Sequence, residues 1–276
     1  MADIEAIAQA INFIEAHLRE PVGVAEMAEA TSYSLYHFCR TFHQATGCTP
    51  YDYLMRRRVA EAAQVLTQGD AKVIEVAFDY QFNSHETFSR AFKRVTGVPP
   101  NQWRKQKPDE APALMPRITE SHLCHWQRSA LWQPAPVERT ALSLVGVMTL
   151  PKTARETAWT WLRYETAGCA DDLKEFFMLT FLTDHGRATL AAAVAPATFA
   201  EGRALVSKTL PPLRYARFNH RGPAGDLDLT LDYIYQVWLP QSDYRLALPL
   251  YLETCDAFPD APSGEWGVEI PVEKNF

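Results

Sequence analysis

The chain has 276 residues, 47% of them apolar, with 27 Lys/Arg against 33 Asp/Glu and a formal net charge of −6. At roughly 100–200 residues per domain, that length predicts two domains. No apolar run approaches the roughly 20 residues that span a bilayer. The start, "MADIEAIAQAINFIEAHL", carries acids and lacks a basic region or cleavage pattern, so a secretion signal is not expected. The five scattered cysteines (39, 48, 124, 169 and 255) form no C-x-x-C, which argues for free thiols in a reducing cytoplasm and against a disulfide framework.

Residues 1–107 read as helical throughout and hold 12 Lys/Arg against 12 Asp/Glu. Val24, Met27 and Ala28 recur at helical spacing and stop near Thr31-Ser32. Ser34 stands where an N-cap belongs, since its hydroxyl can accept a free first-turn N–H. Leu35, Phe38 and Phe42 then repeat as a buried stripe. Gly47 stops the helix, with Pro50 just beyond. The segment "YDYLMRRRVAEAAQVL" predicts a connecting helix of about 16 residues, roughly 24 Å long at 1.5 Å per residue.

The pattern then repeats. Ser84, Phe88, Arg90, Phe92, Thr96-Gly97 and Pro100 match Ser34, Phe38, Arg40, Phe42, Thr46-Gly47 and Pro50 at an offset of 50 residues. Upstream, "VIEVA" (73–77) matches "VAEMA" (24–28) at an offset of 49, and the extra Asn83 explains the slip. Ten identities in this register indicate a duplicated supersecondary unit. A short helix, a tight turn and a second helix form the shape of the DNA-reading helix-turn-helix, although many helix pairs serve only packing. Exposed chemistry favours DNA. With the phenylalanines inward, Tyr36, Cys39, Arg40 and His43 face outward from the first unit, and His85, Glu86, Ser89, Arg90 and Lys93 from the second. Arginine bonds guanine bidentately and glutamate accepts from cytosine N4. Between the units, Arg56, Arg57 and Arg58 suggest a phosphate contact, at Arg56 above all, or a solvated basic face.

At these residues the chain resembles the DNA-binding domain of the AraC/XylS family of bacterial transcription regulators. The resemblance covers residues 4–107, including the closing "FSRAFKRVTGVPPNQWRK". It implies DNA contacts from Tyr36, Cys39 and Arg40 of the first reading helix and from His85, Glu86 and Arg90 of the second; Lys93 on the same outward face and Arg56 on the connecting helix are expected to add to them. It also implies double-stranded promoter DNA and RNA polymerase as partners. Close relatives often carry glutamines where this chain has Cys39, His85 and Glu86. A thiol cannot make an amide's paired adenine contact, so the preferred DNA sequence is not transferable.

The run "RKQKPDEAPALMP", with three prolines and a charge run, predicts a boundary, with residues 108–116 as linker. The expected organisation is a domain over 1–107 and a second over 117–276. The second half carries 15 Lys/Arg against 21 Asp/Glu. Its pattern predicts a strand over 137–150, a helix over 153–168, and strands near 176–183, 190–195, 204–210 and 214–220. A turn at Gly222-Pro223, a helix over 226–238, and strands near 246–253 and 267–272 follow. Strand, helix and strands occur twice, which predicts an α+β domain of two similar halves. The stretch from "PPLRYARFNHRGP" to "GVEIPV" resembles the GyrI-like small-molecule-binding domain, and the arrangement resembles the Rob branch of regulators. That resemblance implies a cleft between the halves for a bulky, apolar, cationic and aromatic effector, or a protein partner. It places a carboxylate at Glu253, with Tyr251 on the same strand face, and Trp161 and Phe177 as candidate walls or core.

"HLCHW" (His122, Cys124, His125) lacks the second ligand pair of a zinc site. Cys39 would be a redox switch only with a lowered thiolate pKa. No G-x-S-x-G, P-loop or H-E-x-x-H occurs. No cofactor, metal or catalytic residue is expected. The expectation is a cytoplasmic transcription regulator, an activator, and not an enzyme. The alternatives are a GyrI-like hydrolase or a drug-sequestering protein fused to a DNA-binding domain.

Overall fold

The computed structural model describes residues 2–69, 71–106, 114–129, 133–149, 155–167, 173, 175–183, 186–255 and 263–275. Of residues 2, 155, 156, 183, 186, 255, 263 and 264 the backbone alone is described. Most of the expected linker, residues 108–113, and Cys169 lie outside this set. The chain divides into two compact units that do not follow sequence order. One joins Met1–Arg128 to Asp228–Gln241, and the other joins Ser129–Leu227 to Ser242–Phe276.

The first unit is helical. Helices α1 (Ala2–Ala16), α2 (Val24–Glu29), α3 (Leu35–Thr46), α4 (Pro50–Gln68), α5 (Val73–Asp79), α6 (His85–Thr96), α7 (Pro100–Gln106) and α8 (Glu120–Ser129) follow in order. The expected signals operate locally. Ser34 Oγ accepts from the His37 N–H at 3.4 Å, and Ser84 Oγ from the Thr87 N–H at 3.1 Å. Gly47 and Gly97 close α3 and α6 in the left-handed region, at φ 73° and 80°. Each helix pair also turns through one non-glycine residue in that region, Ser32 at φ 59° and Gln81 at φ 63°. Those two residues keep the 49-residue offset of the repeat.

Aromatic packing repeats as well. Phe38 and Phe42 meet with ring centroids 5.6 Å apart, Phe88 and Phe92 at 5.4 Å. Tyr53 then packs on Phe42 and Trp103 on Phe92, at 5.9 and 5.8 Å. At typical values, each such fully buried ring contributes roughly 1.5–3 kcal/mol over an exposed one. Trp103 Nε1 donates to Thr67 Oγ1 at 3.0 Å, which satisfies its polar edge.

A further helical run completes this unit. It comprises α10 (Leu227–Tyr233), a π-helical stretch (Ile234–Trp238) and a last turn, α11 (Leu239–Gln241). Its residues from Asp228 onward belong to the first unit. Trp126 Nε1 of α8 donates to the Leu229 carbonyl at 2.7 Å, and the Trp126 and Tyr233 rings meet at 5.5 Å. His125 Nε2 pairs with Thr230 Oγ1 at 2.7 Å, and His122 Nε2 with Asp232 at 3.2 Å. The histidines of "HLCHW" thus hold two helices together, and Cys124 between them is exposed.

The second unit is one antiparallel sheet with helix α9 (Arg155–Glu165). Its strands are β1 (Ala135–Arg139), β2 (Leu142–Thr149), β3 (Phe176–Thr183), β4 (Gly186–Val194), β5 (Val206–Leu210), β6 (Leu213–Pro223), β7 (Tyr244–Leu246), β8 (Leu250–Cys255) and β9 (Ser263–Lys274). They lie in the order β1-β6-β9-β8-β3-β4-β2-β5, with β7 paired to β9. Two expectations change. The strand expected over 137–150 is two strands, and Gly222-Pro223 is not a turn but the end of β6, paired to Gly264 and Ser263. One sheet face packs Val145, Val147, Phe176 and Met178 against Ala158, Trp159 and Leu162 of α9. The opposite face packs Leu144, Phe177, Leu179, Leu190, Tyr215, Leu250 and Leu252.

Candidate DNA-reading surface and buried carboxylates

On α3 the stripe Phe38, Thr41, Phe42 and Thr46 is buried. The opposite side presents Tyr36, 79% exposed, with exposed Arg40 and half-buried Cys39. On α6, Phe88 and Phe92 are buried, Glu86, Arg90 and Lys93 are exposed, and His85 is half-buried. Hydrogen bonds from its own backbone N–H and from Ser84 hold the Glu86 carboxyl below its ordinary pKa. It therefore presents a fixed negative charge in the first turn of α6.

The three arginines of α4 do not form a basic face. Arg56 Nη1 donates to the Gln236 carbonyl at 2.6 Å and Nη2 to Gln236 Oε1 at 3.0 Å. Its side chain is 11% exposed, with Asp52 at 3.9 Å. Arg57 forks onto Glu15 at 2.7 and 2.9 Å and onto Glu61 at 2.7 Å. Arg58 donates to the Leu18 and Glu20 carbonyls at 2.9 and 2.6 Å. Arg56, expected at a phosphate, has its guanidinium on Gln236. These bonds take two of the five N–H donors of Arg56, and a solvated basic face does not describe Arg57 and Arg58, which are buried. In this unit a groove of about 1030 Å³ is lined by α1, α4, α7 and residues 114–117. Its Glu15 and Glu61 each pair with Arg57.

In the second unit Glu253 of β8 is 1% exposed. Its register partners are Met178 on β3 and Val268 on β9. The row continues through Ala191 and Val147 on one side and Phe218 on the other. One carboxylate thus stands in a six-strand row of otherwise apolar, buried side chains, on the face that α9 covers. The neighbouring row is polar. Tyr251 pairs with Thr180, which pairs with Thr189, which pairs with Thr149. Sequence reading put Glu253 and Tyr251 on one strand face and did not include these threonines, whose only signal is strand alternation combined with register.

The other two expected wall residues do not join them. Phe177 pairs with Thr254 and lies on the opposite face, because successive strand residues point to opposite sides. Its ring carries the Arg139 guanidinium at 5.1 Å. Trp161 is 53% exposed, since α9 buries Ala158, Trp159 and Leu162 instead. The Phe177 face has its own carboxylate, Glu269, fully buried. Arg139 grips it with bonds of 2.7 and 2.9 Å, and Arg217 stands at 3.6 Å. Gly267 makes room for the second arginine, because a Cβ there would collide with the Arg217 guanidinium and Thr254 Oγ1.

Comparison with known proteins gives two family matches. Residues 27–106 match the model of a helix-turn-helix domain, and residues 180–273 that of the GyrI-like small molecule binding domain. Among curated proteins, the chain is 37% identical over 100 residues to the uncharacterized HTH-type transcriptional regulator YbfP of Bacillus subtilis. That match covers 36% of this chain and 34% of YbfP, about a third of its length. It is 32% identical to the HTH-type transcriptional activator AarP of Providencia stuartii, over 36% of this chain and 73% of AarP. It is 31% identical to the multiple antibiotic resistance protein MarA of Escherichia coli, over 37% of this chain and 80% of MarA. Among solved structures, the DNA-binding domain of AdpA in complex with a target DNA aligns at 30% identity. It covers 36% of this chain and 89% of that one, with a TM-score of 0.35. An AraC-type regulator from Chromobacterium violaceum aligns at 24% identity over 38% and 94%, with a TM-score of 0.37.

Proposed function

This chain belongs to the AraC/XylS family of helix-turn-helix transcription regulators, and from that premise we propose that it reads promoter DNA with two reading helices and senses a lipophilic cation through Glu253. The observation that carries the first part is the repeat. The pairs α2–α3 and α5–α6 share caps, left-handed turn residues and buried phenylalanines at a constant offset. Each exposes an arginine at the same place, Arg40 and Arg90. We read them as two helix-turn-helix units joined by α4, whose 19 residues span roughly 28 Å. A strut of that length suits reading helices about one DNA turn, near 34 Å, apart. Tyr36, Cys39, Arg40, His85, Glu86, Arg90 and Lys93 are then the contacts with bases and phosphates. AarP carries the name of an activator, and we read this chain likewise as an activator that engages RNA polymerase in the cytoplasm, without enzymatic turnover.

For the second part, the strand order supports two related halves about the β8–β3 pair, because β1-β6-β9-β8 and β5-β2-β4-β3 read alike from either end. The effector is read from Glu253. A carboxylate among apolar side chains loses several kcal/mol of hydration. A cation can offset much of that loss, and aromatic faces add roughly 0.5–2 kcal/mol. Calorimetry with tetraphenylphosphonium tests the site. Glu253→Gln is expected to weaken binding at least tenfold while DNA affinity stays the same; equal ligand affinity in that variant removes the effector reading. Selection of bound fragments from random DNA by the full chain tests the regulator reading. Enrichment of no common sequence would end it.

A further inference from the structure

Arg56 left the DNA surface for a specific reason. The residue four beyond Gln236 is Pro240, inside the helical run. An α-helix would aim the N–H of residue 240 at the Gln236 carbonyl, but proline has none, and its ring crowds that carbonyl outward. The run answers with a π-helical stretch over Ile234–Trp238, in which the Leu239 N–H bonds back to Ile234. Such stretches cluster at functional positions. Arg56 Nη1 meets the Gln236 carbonyl at 2.6 Å, and Nη2 takes the same residue's Oε1. A fork of this kind fixes orientation as well as distance.

The same helical run also touches the end of the first reading helix. Gln241 Nε2 donates to the Gly47 carbonyl at 2.5 Å, and a Cβ at Gly47 would collide with Val237 Cγ1. The repeat supplies an internal control. Gly97, in the same place on α6, has nothing within 4 Å of its missing Cβ. Among the described residues, this run braces the first of the two similar units and not the second.

We propose that Arg56, with Gln236, Val237 and Pro240, positions the first reading helix α3. The helical run Asp228–Gln241 is thus a working part of the DNA-reading unit, although its sequence lies in the GyrI-like half. Both its ends continue into strands of the sheet, through Pro223 of β6 and Tyr244 of β7. The brace is therefore the covalent route by which the effector half sets the affinity of one reading helix and not the other. This rests on the two-helix DNA reading above.

The test uses the full chain and an operator selected from random DNA. Specific binding by the parent chain tests the underlying reading, and the variants test the brace. Arg56→Lys keeps the charge but loses the fork. Pro240→Ala restores an N–H at residue 240, lets Gln236 close an ordinary helical bond, and stabilises the helix. Each is expected to weaken operator binding roughly three- to tenfold. Methylation interference should assign the loss to one groove, the one that Arg40→Ala affects. Pro240→Ala should leave the melting temperature unchanged or raised, an outcome that general destabilisation cannot produce. Unchanged affinity in both variants, tighter binding, or a loss spread equally over both grooves overturns the proposal. A parent chain that selects no sequence overturns the reading beneath it as well.

Discussion

Arg40 and Arg90 are the same residue of the repeat, written twice, and both are exposed on the faces opposite their phenylalanine stripes. Their neighbours differ. Tyr36 and Cys39 flank Arg40, whereas Glu86 and Ser89 flank Arg90, so the two helices are expected to prefer different base pairs. Glu86 stays ionised down to low pH because its own N–H and Ser84 bond the charged form, and it can accept from cytosine N4. Arg40→Ala and Arg90→Ala should each weaken specific binding by roughly 1–3 kcal/mol, each at its own base pairs. Fluorescence anisotropy against a selected operator reads both. Unchanged affinity in both variants would remove the groove assignment. Residue identity alone did not decide which arginines are exposed. Arg56, Arg57 and Arg58 look as available in sequence as Arg40 does, and all three turn inward to Gln236, Glu15 and the Leu18 carbonyl.

Elements carry the same contrast. The helix stops at Gly47 and Gly97 are alike in backbone, both left-handed, and unlike in surroundings. Gly97→Ala should cost about 1–2 kcal/mol, the strain of a Cβ in that conformation. Gly47→Ala should cost that strain plus roughly 1–3 kcal/mol for crowding Val237. Thermal unfolding of the two variants checks the difference, and equal melting temperatures would show that the helical run Asp228–Gln241 does not press on α3. In the sheet, alternation does comparable sorting. Glu253 and Glu269 lie on adjacent strands but opposite faces. One stands in an apolar row on the α9 face, and the other is gripped by two arginines beside Phe177. A one-residue slip in β8 would carry Glu253 to the opposite face, so register specifies which side of the sheet it occupies.

For the whole molecule, both compact units bury groups that must ionise in alkali. Burial pushes the Cys48 thiol up to about 11 and the Tyr215 and Tyr233 hydroxyls up to about 12. The negative charge of Glu269 adds to the shift at Tyr215. A folded pKa raised above the unfolded value gives stability that is complete below the unfolded value and is lost as pH rises through the folded one. Resistance to urea should therefore fall from about pH 9 upward. A flat stability between pH 9 and pH 12 would contradict the burial of these groups. No helix of the described residues is long and apolar enough to cross a membrane. The formal balance of 12 cations and 12 acids over residues 1–107 does not say where the cations stand. Arg56, Arg57 and Arg58 are spent inside, while Arg40, Arg90, Lys93 and Arg94 remain exposed.

Short-range physics made much of this readable in the chain alone. A cap such as Ser34, a stop such as Gly47 and a stripe such as Phe38–Phe42 act within a few residues, so they write the helices and their repetition directly into the sequence. Glu253 and Tyr251 were legible as one strand face for the same reason. Partners distant in sequence were not. The inward turn of Arg56 depends on Gln236, 180 positions away in the chain. The separation of Phe177 from Glu253 depends on how β3 registers against β8. Both are decided by long-range contacts whose partners have no local signature, and only the tertiary structure brings them together.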